Sequence, residues 1–226
     1  MDEAALRKRL AEDFPTYART CLSIRTKSGA IQPLELNFAQ RYTHDLLNRQ
    51  KTQTGRTRAI ILKARQLGIS TYIAARFYHQ TTHNLGTRTL IIAHEQAAAD
   101  GLFAMVNRFH EHAPDPFKPR SGTANVKALE FPNLDSGYRV ATAGSTRSVG
   151  RGETIQLAHL SEQSFWPNAE ENFTAILQAI PSGTQATGTE AIVESTANGA
   201  SGTFYDLWQQ AESQQSEFIP IFLPWF

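Results

Sequence analysis

Three short stretches of the chain carry side chains suited to acting on phosphate groups. The first, Lys63-Ala64-Arg65-Gln66-Leu67-Gly68-Ile69-Ser70-Thr71, sets cations, a glycine and hydroxyls side by side. A glycine lets backbone N–H groups approach a phosphate closely, and a helix starting just after it adds the positive end of its dipole. Ser70 or Thr71 can offer a hydroxyl to a magnesium ion. The strict G-x-x-x-x-G-K-[ST] pattern is absent, the chain has no Gly-Lys pair, and Ile69 stands at the usual lysine position. Charge would come instead from Lys63, with Arg65 reaching across the same phosphates. Alone, the stretch reads equally well as a strand-to-helix turn with solvated cations.

The second stretch, Thr154 to Glu162 (TIQLAHLSE), is an apolar run that ends on an acid. A glutamate just past such a strand can polarise an attacking water. The position before it, normally an aspartate that holds magnesium through water, is Ser161; a hydroxyl keeps the geometry and gives up a charge. The third stretch, Glu194-Ser195-Thr196-Ala197-Asn198-Gly199, closes the apolar run EAIVEST. Open α/β sheets bind ligands at the carboxyl ends of their strands, so these polar groups would meet the same crevice. Taken singly, the second and third stretches read better as a buried strand with a surface glutamate and as a turn of small residues. Their joint occurrence in this order favours a phosphate site.

The elements that must position these stretches alternate. An amphipathic opening helix precedes a small hairpin (LSIRTKSGAIQPLEL), and Asn37 caps a helix over FAQRYTHDLLNRQ. The strand Arg58 to Leu62 leads through the phosphate stretch into the helix ISTYIAARFYHQ. The strand TRTLIIAH and the helix EQAAADGLFAMVNRFHEH follow. Weaker strands at KALEF and YRVATA come next, then TIQLAHL, a helix near 169–180, EAIVEST, the helix GTFYDLWQQAES and the strand FIPIFL. This alternation predicts an α/β fold with a doubly wound, mostly parallel sheet flanked by helices. The 226 residues suffice for one such domain, and no apolar run approaches the roughly 18 residues of a membrane span. Cys21, the single cysteine, excludes an internal disulfide framework.

Net charge is +1, but it is strongly segregated. All 22 Lys and Arg lie within residues 1–151, while residues 152–226 hold acids and no Lys or Arg. Arg41, Arg49, Lys51, Arg56, Arg58, Lys63, Arg65 and Arg76 face only Asp45 in the most basic segment. Either the surface simply segregates, or an anion site occupies the basic part and an acidic face meets a basic face on a neighbouring copy. His79 and His83, spaced i and i+4, read as surface histidines, because Gln80 replaces the glutamate of a metalloprotease motif. His159 reads as packed, and Phe165-Trp166-Pro167 as core or crevice packing.

KARQLGIST, LAHLSEQSFW and ESTANG, in this order and spacing, resemble the ATPase half of the large terminase subunit of tailed bacteriophages. That half is similar in its core to the additional-strand, catalytic-glutamate P-loop ATPases. The resemblance runs from about Leu36 to the C-terminus. It implies a deviant phosphate loop headed by Lys63, with nucleotide contacts from Lys63, Ala64, Arg65, Gln66, Leu67, Gly68, Ile69, Ser70 and Thr71. Gln40, in LNFAQRY, matches an adenine-contacting glutamine. Glu162 matches the catalytic glutamate, Arg65 and Arg151 are its catalytic cations, and Ser195, Thr196, Asn198 and Gly199 fall on the coupling motif. Ser70, and Ser161 through water, would face Mg2+, with ATP as the nucleotide. Ser161 departs from the family pattern.

The resemblance further implies an ATP hydrolase that drives double-stranded DNA into a viral procapsid from a homo-oligomeric ring. The portal and the small terminase subunit would be its partners, and its place the host cytoplasm and, transiently, the procapsid portal. Residues 1–35 are expected to form a helical and hairpin appendage and residues 36–226 the ATPase core. The RNase H-like nuclease domain usual in the family is not expected in this chain. Two other readings stay open: another DNA-dependent, helicase-like ATPase, which would need a second core, and a non-hydrolysing nucleotide-binding assembly module, motivated by Ile69 and Ser161.

Arg151 sits between Gly150 and Gly152, before the strand that ends at Glu162. At that end of the strand it is poorly placed for its own ATP and suited to a neighbour's, where such an arginine can supply roughly 10³-fold or more in rate. Mixing Arg151→Ala with Glu162→Gln under ring-forming conditions should therefore restore phosphate release that neither variant has alone. Mixed rings without recovered activity would exclude action in trans.

Overall fold

Apolar residues in the strands of this chain divide between two faces, and that division builds the architecture. The computed structural model describes residues 2–122, 124–125, 127–145 and 154–225. In chain order the elements are α1 (Glu3–Glu12), α2 (Phe14–Cys21), β1 (Ser23–Arg25), β2 (Ile31–Pro33), α3 (Phe38–Thr54), β3 (Thr57–Lys63), α4 (Ile69–His83), β4 (Arg88–Ala93) and α5 (Gln96–His112). They continue with β5 (Ala124–Asn125), β6 (Ala128–Phe131), β7 (Ser136–Thr142), β8 (Leu157–Ser161), α6 (Ala169–Ala179), β9 (Glu190–Ser195), α7 (Thr203–Glu212) and β10 (Ile219–Leu223). The predicted opening helix is α1, and a second helix that the sequence reading missed, α2, follows it directly. Asp13 accepts from Thr16 N and caps α2, and Pro15 lies in its first turn, where a missing N–H is harmless.

Among the described residues, eight strands form one sheet in the order β10-β3-β9-β8-β4-β7-β6-β5. The first six are mutually parallel, and β6 and β5 add an antiparallel edge. Strand β9 is inserted between β3 and β8, which is the additional strand of the expected fold class. Side chains alternate faces along a strand. Accordingly Ala59, Ile61, Ile91, Ala93, Leu157 and Ile192 face one core, which holds Ile73, Phe77, Val106 and Phe109 of α4 and α5. Ile60, Leu90, Ile92, Ala158, Leu160, Ala191 and Val193 face the other, against Ile176 of α6 and Leu207 and Trp208 of α7. Each buried Val, Leu, Ile or Phe side chain among them contributes about 1.5–3 kcal/mol. The first 35 residues share this packing: Leu10, Phe14, Tyr17, Cys21, Leu22 and Leu34 are buried in the first core.

The charge segregation seen along the chain is partly neutralised by ion pairs within the fold. Lys51 and Arg76 pair with Glu190, Arg56 and Arg58 with Glu217, and Lys63 with Glu162 and Glu194. Arg76 and Glu190 are both buried; Arg76 donates from Nε and Nη2 to the two carboxylate oxygens at 2.8 and 2.9 Å. Removing one partner of such a pair costs about 3–5 kcal/mol, because the other charge is left buried. Five of the eight cations in the basic segment are thus engaged by acids of the C-terminal part.

His79 is a correction to the sequence reading: it is 7% exposed, packed on Tyr17, with Nε2 2.8 Å from the Leu10 carbonyl. Burial lowers its pKa to about 3 and that of His44 to about 4. Both are neutral in the folded chain, whereas an unfolded chain protonates histidine near pH 6.5. Their stabilising effect is complete above about pH 6.5 and is lost progressively as pH falls toward the folded values. Each group should remove about 1.4 kcal/mol of unfolding free energy per pH unit in that window. Burial also lowers the pKa of His83 and His110, which add to the slope. Urea titrations between pH 7 and 5 measure it, and His79→Gln should reduce it without abolishing it.

Candidate active site

Because the central strands are parallel, their carboxyl ends bring the three polar stretches to one edge. Register sets Leu62 opposite Ser195 and Ser161 opposite Glu194. From β3 the chain turns at Ala64, whose N–H donates to Leu223 of β10. Gln66 (φ +66°) takes the Lys27 ammonium from the hairpin, and Gly68 (φ +73°) precedes α4. No side chain caps α4, which leaves its first N–H groups free for an anion. Ile69 is buried in the first core, so the usual lysine position holds packing and no charge.

Two residues at the start of α3 brace this loop. Asn37 and Gln40 form a reciprocal cap, in which each side chain accepts from the other's N–H. The Asn37 amide then donates to Leu67 O at 3.1 Å and the Gln40 amide to Gly68 O at 2.8 Å. Both ends of the Gln40 amide are therefore held by main chain. A contact from Gln40 to a base would require giving up the Gly68 bond.

Lys63 lies at the centre of the site and is largely buried. Its ammonium donates to Glu162 Oε1 at 2.7 Å and lies 3.0 Å from Glu194 Oε2. Burial works against its charge, but the two carboxylates raise its pKa above the ordinary lysine value. Glu162 is in the left-handed region (φ +51°), which turns the chain sharply out of β8. Strained backbone of this kind persists only where surrounding contacts hold it. Those contacts come from the third stretch. Thr196 N, Thr196 Oγ1 and Ser195 Oγ reach Glu162 Oε2 at 3.1, 3.3 and 3.3 Å. Ser164 ties its hydroxyl to Ser195 Oγ, and Asn198 Nδ2 donates to the Ser164 carbonyl.

Glu194 is the residue that motif reading passed over. It is fully buried, and its Oε1 accepts from Ser70 Oγ (2.8 Å) and Ser161 Oγ (2.8 Å), with His159 Nε2 at 3.2 Å. Burial opposes its charge, yet His159, Lys63 and Ser70 together lower its pKa to about 2. The available signal was a strand of otherwise apolar residues bounded by two glutamates, Glu190 and Glu194, at opposite ends of β9. His159 is packed, as expected, and Trp166 is buried with its indole N–H on Ser161 O.

A cavity of about 400 Å³ opens over these groups, lined by Lys63, Arg65, Gln66, His94, Glu162, Phe165 and Thr196. Arg65 is exposed there with no ion-pair partner among the described residues; Gly199 (φ +84°) and Asn198 lie by a neighbouring groove. Arg151 lies outside the described residues. A larger cavity, about 620 Å³, sits at the other end of α4 among Asp13, His44, Lys51 and Arg76, away from all three stretches. The first cavity presents two cations and the Glu162 carboxylate, and the uncapped start of α4, Ser70 and the buried Glu194 lie behind its Lys63 wall. Among the described residues no group of three or more His, Cys, Asp or Glu forms a metal cage.

No protein-family model matches the sequence. The fold is similar to that of the HK97 bacteriophage large terminase, with TM-score 0.72 and 16% identity over 94% of this chain. The match spans 43% of that protein's length, so this chain corresponds to under half of it. The ATPase domain of the Thermus phage P74-26 large terminase matches with TM-score 0.56 and 16% identity, over 83% of this chain and 80% of that one. A point mutant of that domain gives 0.59 and 17%, over 82% and 80%. The chain thus has the fold of large terminase ATPase domains, a P-loop NTPase fold.

Gly68 tests whether the loop's shape is specified. A Cβ there would lie 2.8 Å from Gln40 Nε2, at a φ that L residues rarely adopt. Gly68→Ala should lower unfolding free energy by about 1–3 kcal/mol in urea titrations. Adding Gln40→Ala should not restore it, because the backbone strain remains.

Proposed function

We propose that this chain is the ATPase domain of a viral DNA-packaging motor of the large-terminase kind, coupling ATP hydrolysis to translocation of double-stranded DNA into a procapsid. The observation that carries the reading is the 2.7 Å contact between Lys63 and Glu162. It joins the head of a phosphate loop to an acid on a different strand, beside an uncapped helix start. ATP is the substrate. Lys63, Arg65 and the backbone from Ala64 to Thr71 would bind its phosphates, with Gln40 steadying that backbone. Ser70, and Ser161 through water, would face Mg2+, which when bound neutralises phosphate charge.

Glu162 would orient and polarise the attacking water. Its Oε1 is paired with Lys63, and a polyphosphate competes for that ammonium. Once Lys63 turns to the phosphates, Oε1 is free to accept from water while Thr196 N–H keeps Oε2 in place. Ser195, Thr196, Asn198 and Gly199 hold Glu162 and the turn after it. A change at the terminal phosphate would therefore pull on the segment leading to α7, and this is the coupling assigned to them.

Likeness to terminases supports DNA as the track, a homo-oligomeric ring with Arg151 reaching a neighbour, and a portal and small subunit as partners. It also supports action in the host cytoplasm and, transiently, at the procapsid portal. No helix among the described residues is long and apolar enough to cross a membrane. The motor core is assigned to residues 36–226, with residues 1–35 bracing its helical layer.

Glu162→Gln should bind ATP within about threefold of wild type and lose roughly 10²-fold or more of turnover, since shape is kept and the polarising charge removed. Lys63→Ala should weaken binding by roughly 10- to 100-fold through loss of a charge-assisted contact. Equilibrium nucleotide binding and magnesium-dependent phosphate release check both. Wild-type hydrolysis by Glu162→Gln would overturn the assignment, and wild-type binding without any release would leave a nucleotide-occupied assembly module.

A further inference from the structure

We propose that Glu194, on the strand beside Ser161, supplies the magnesium-directed carboxylate that position 161 lacks, so that the acid of this site has moved one strand across the sheet. The inference rests on the site being one for a magnesium-bound nucleotide, and it names the group that completes it.

The placement follows from register. Ser161 and Glu194 are Cα partners in the parallel pairing of β8 with β9. Partners in register project to the same face of a sheet. β9 lies between β3 and β8, so a carboxylate at its carboxyl end stands between the phosphate loop and the catalytic glutamate. There Glu194 Oε1 accepts from Ser70 Oγ at 2.8 Å. In P-loop NTPases that loop hydroxyl and a strand-end aspartate hold the ion together. Here the same pair is formed by Ser70 and Glu194, while Ser161 donates to the same oxygen.

A second observation concerns the other oxygen. Glu194 Oε2 is fully buried and faces the Lys63 ammonium, 3.0 Å away; once a polyphosphate draws Lys63 off, that oxygen is left for a cation. A buried carboxylate oxygen left without a donor costs free energy, and a hydrophobic side chain in its place would avoid that cost. An aspartate at 161 would add a second carboxylate against the first, so the serine conserves charge across the pair. Glu194 is distinct in role from Glu162, which sits at the cavity mouth and is held by Thr196.

The test measures affinity for a non-hydrolysable ATP analogue, AMP-PNP, with Mg2+ and with EDTA, on the intact chain. In wild type Mg2+ should tighten binding. Glu194→Gln, which keeps size and removes the charge, should cut the ratio of Mg2+ to EDTA affinity at least roughly tenfold. Ser161→Asp alone should also reduce the enhancement and lower the melting temperature, through repulsion with Glu194. The double variant Ser161→Asp with Glu194→Ser returns one carboxylate to the pair and should recover most of the enhancement. Mn2+ in place of Mg2+, read by its electron paramagnetic resonance signal on the AMP-PNP complex, should show the same order of variants. An unchanged magnesium enhancement in Glu194→Gln would overturn the relocation and leave the nucleotide site intact. If both single variants lost their fold, failure of the double variant to recover the enhancement would equally overturn it. Absence of AMP-PNP binding by wild type would instead remove the nucleotide reading itself, and the relocation with it.

Discussion

A carboxylate buried between parallel strands must be met by donors on every side, and the arrangement of the site follows from how Glu194 meets that demand. Ser70 comes from the start of α4, Ser161 and His159 from β8, and Lys63 from β3, so one side chain ties together three elements. The strand order makes this possible, since only β9 adjoins both β3 and β8. Lys63 then carries the constraint outward: by pairing with Glu162 as well, it links the buried acid to the acid at the cavity mouth.

A second ionic centre lies at the other end of the same strand. Glu190 gathers Arg76, Lys51 and Gln80 where β9 begins, much as Glu194 gathers its donors where β9 ends. Strand β9 is thus pinned at both ends by charge and along its length by apolar contacts to both cores. These centres also alter the meaning of the charge segregation. A chain basic in its first part and acidic in its last suggests a polar surface ready for DNA or for a neighbour. In the fold, much of that charge is already matched internally. Under the proposed function, affinity for DNA would come from cations that remain exposed away from the nucleotide cavity, such as Arg49.

Element order and fold class were legible because hydrophobic runs and turn residues carry them locally: Asn37 announced α3, Gly68 announced α4, and the apolar runs marked β3, β4, β8 and β9, although β3 is longer than its run and β8 starts three residues later than TIQLAHL. What the linear chain hid was contact across it. Pairing of Ser161 with Glu194 depends on register between strands far apart in sequence, and His79 is buried only because α1 and α2 fold back over α4. The bracing of the phosphate loop by Asn37 and Gln40 was hidden for the same reason, since a cap signal says nothing about what the capping side chains touch beyond their own helix. The break between α1 and α2 was written locally, in Asp13 and Pro15, and was masked by the amphipathic pattern running up to it.

Strand β3 has a place in the sheet that bears on how the protein is made. It is among the first core strands to leave the ribosome, yet its two neighbours, β9 and β10, are among the last. At roughly 5–20 residues per second of synthesis, both edges of this strongly apolar strand stay unpaired for several seconds. Exposed strand edges of that kind recruit other chains. A nascent chain of this design therefore depends on holding by chaperones, or on provisional cover from α3 and α4, until its final strand emerges. Its folding is expected to be slow, as for any sheet closed by contacts so distant in sequence.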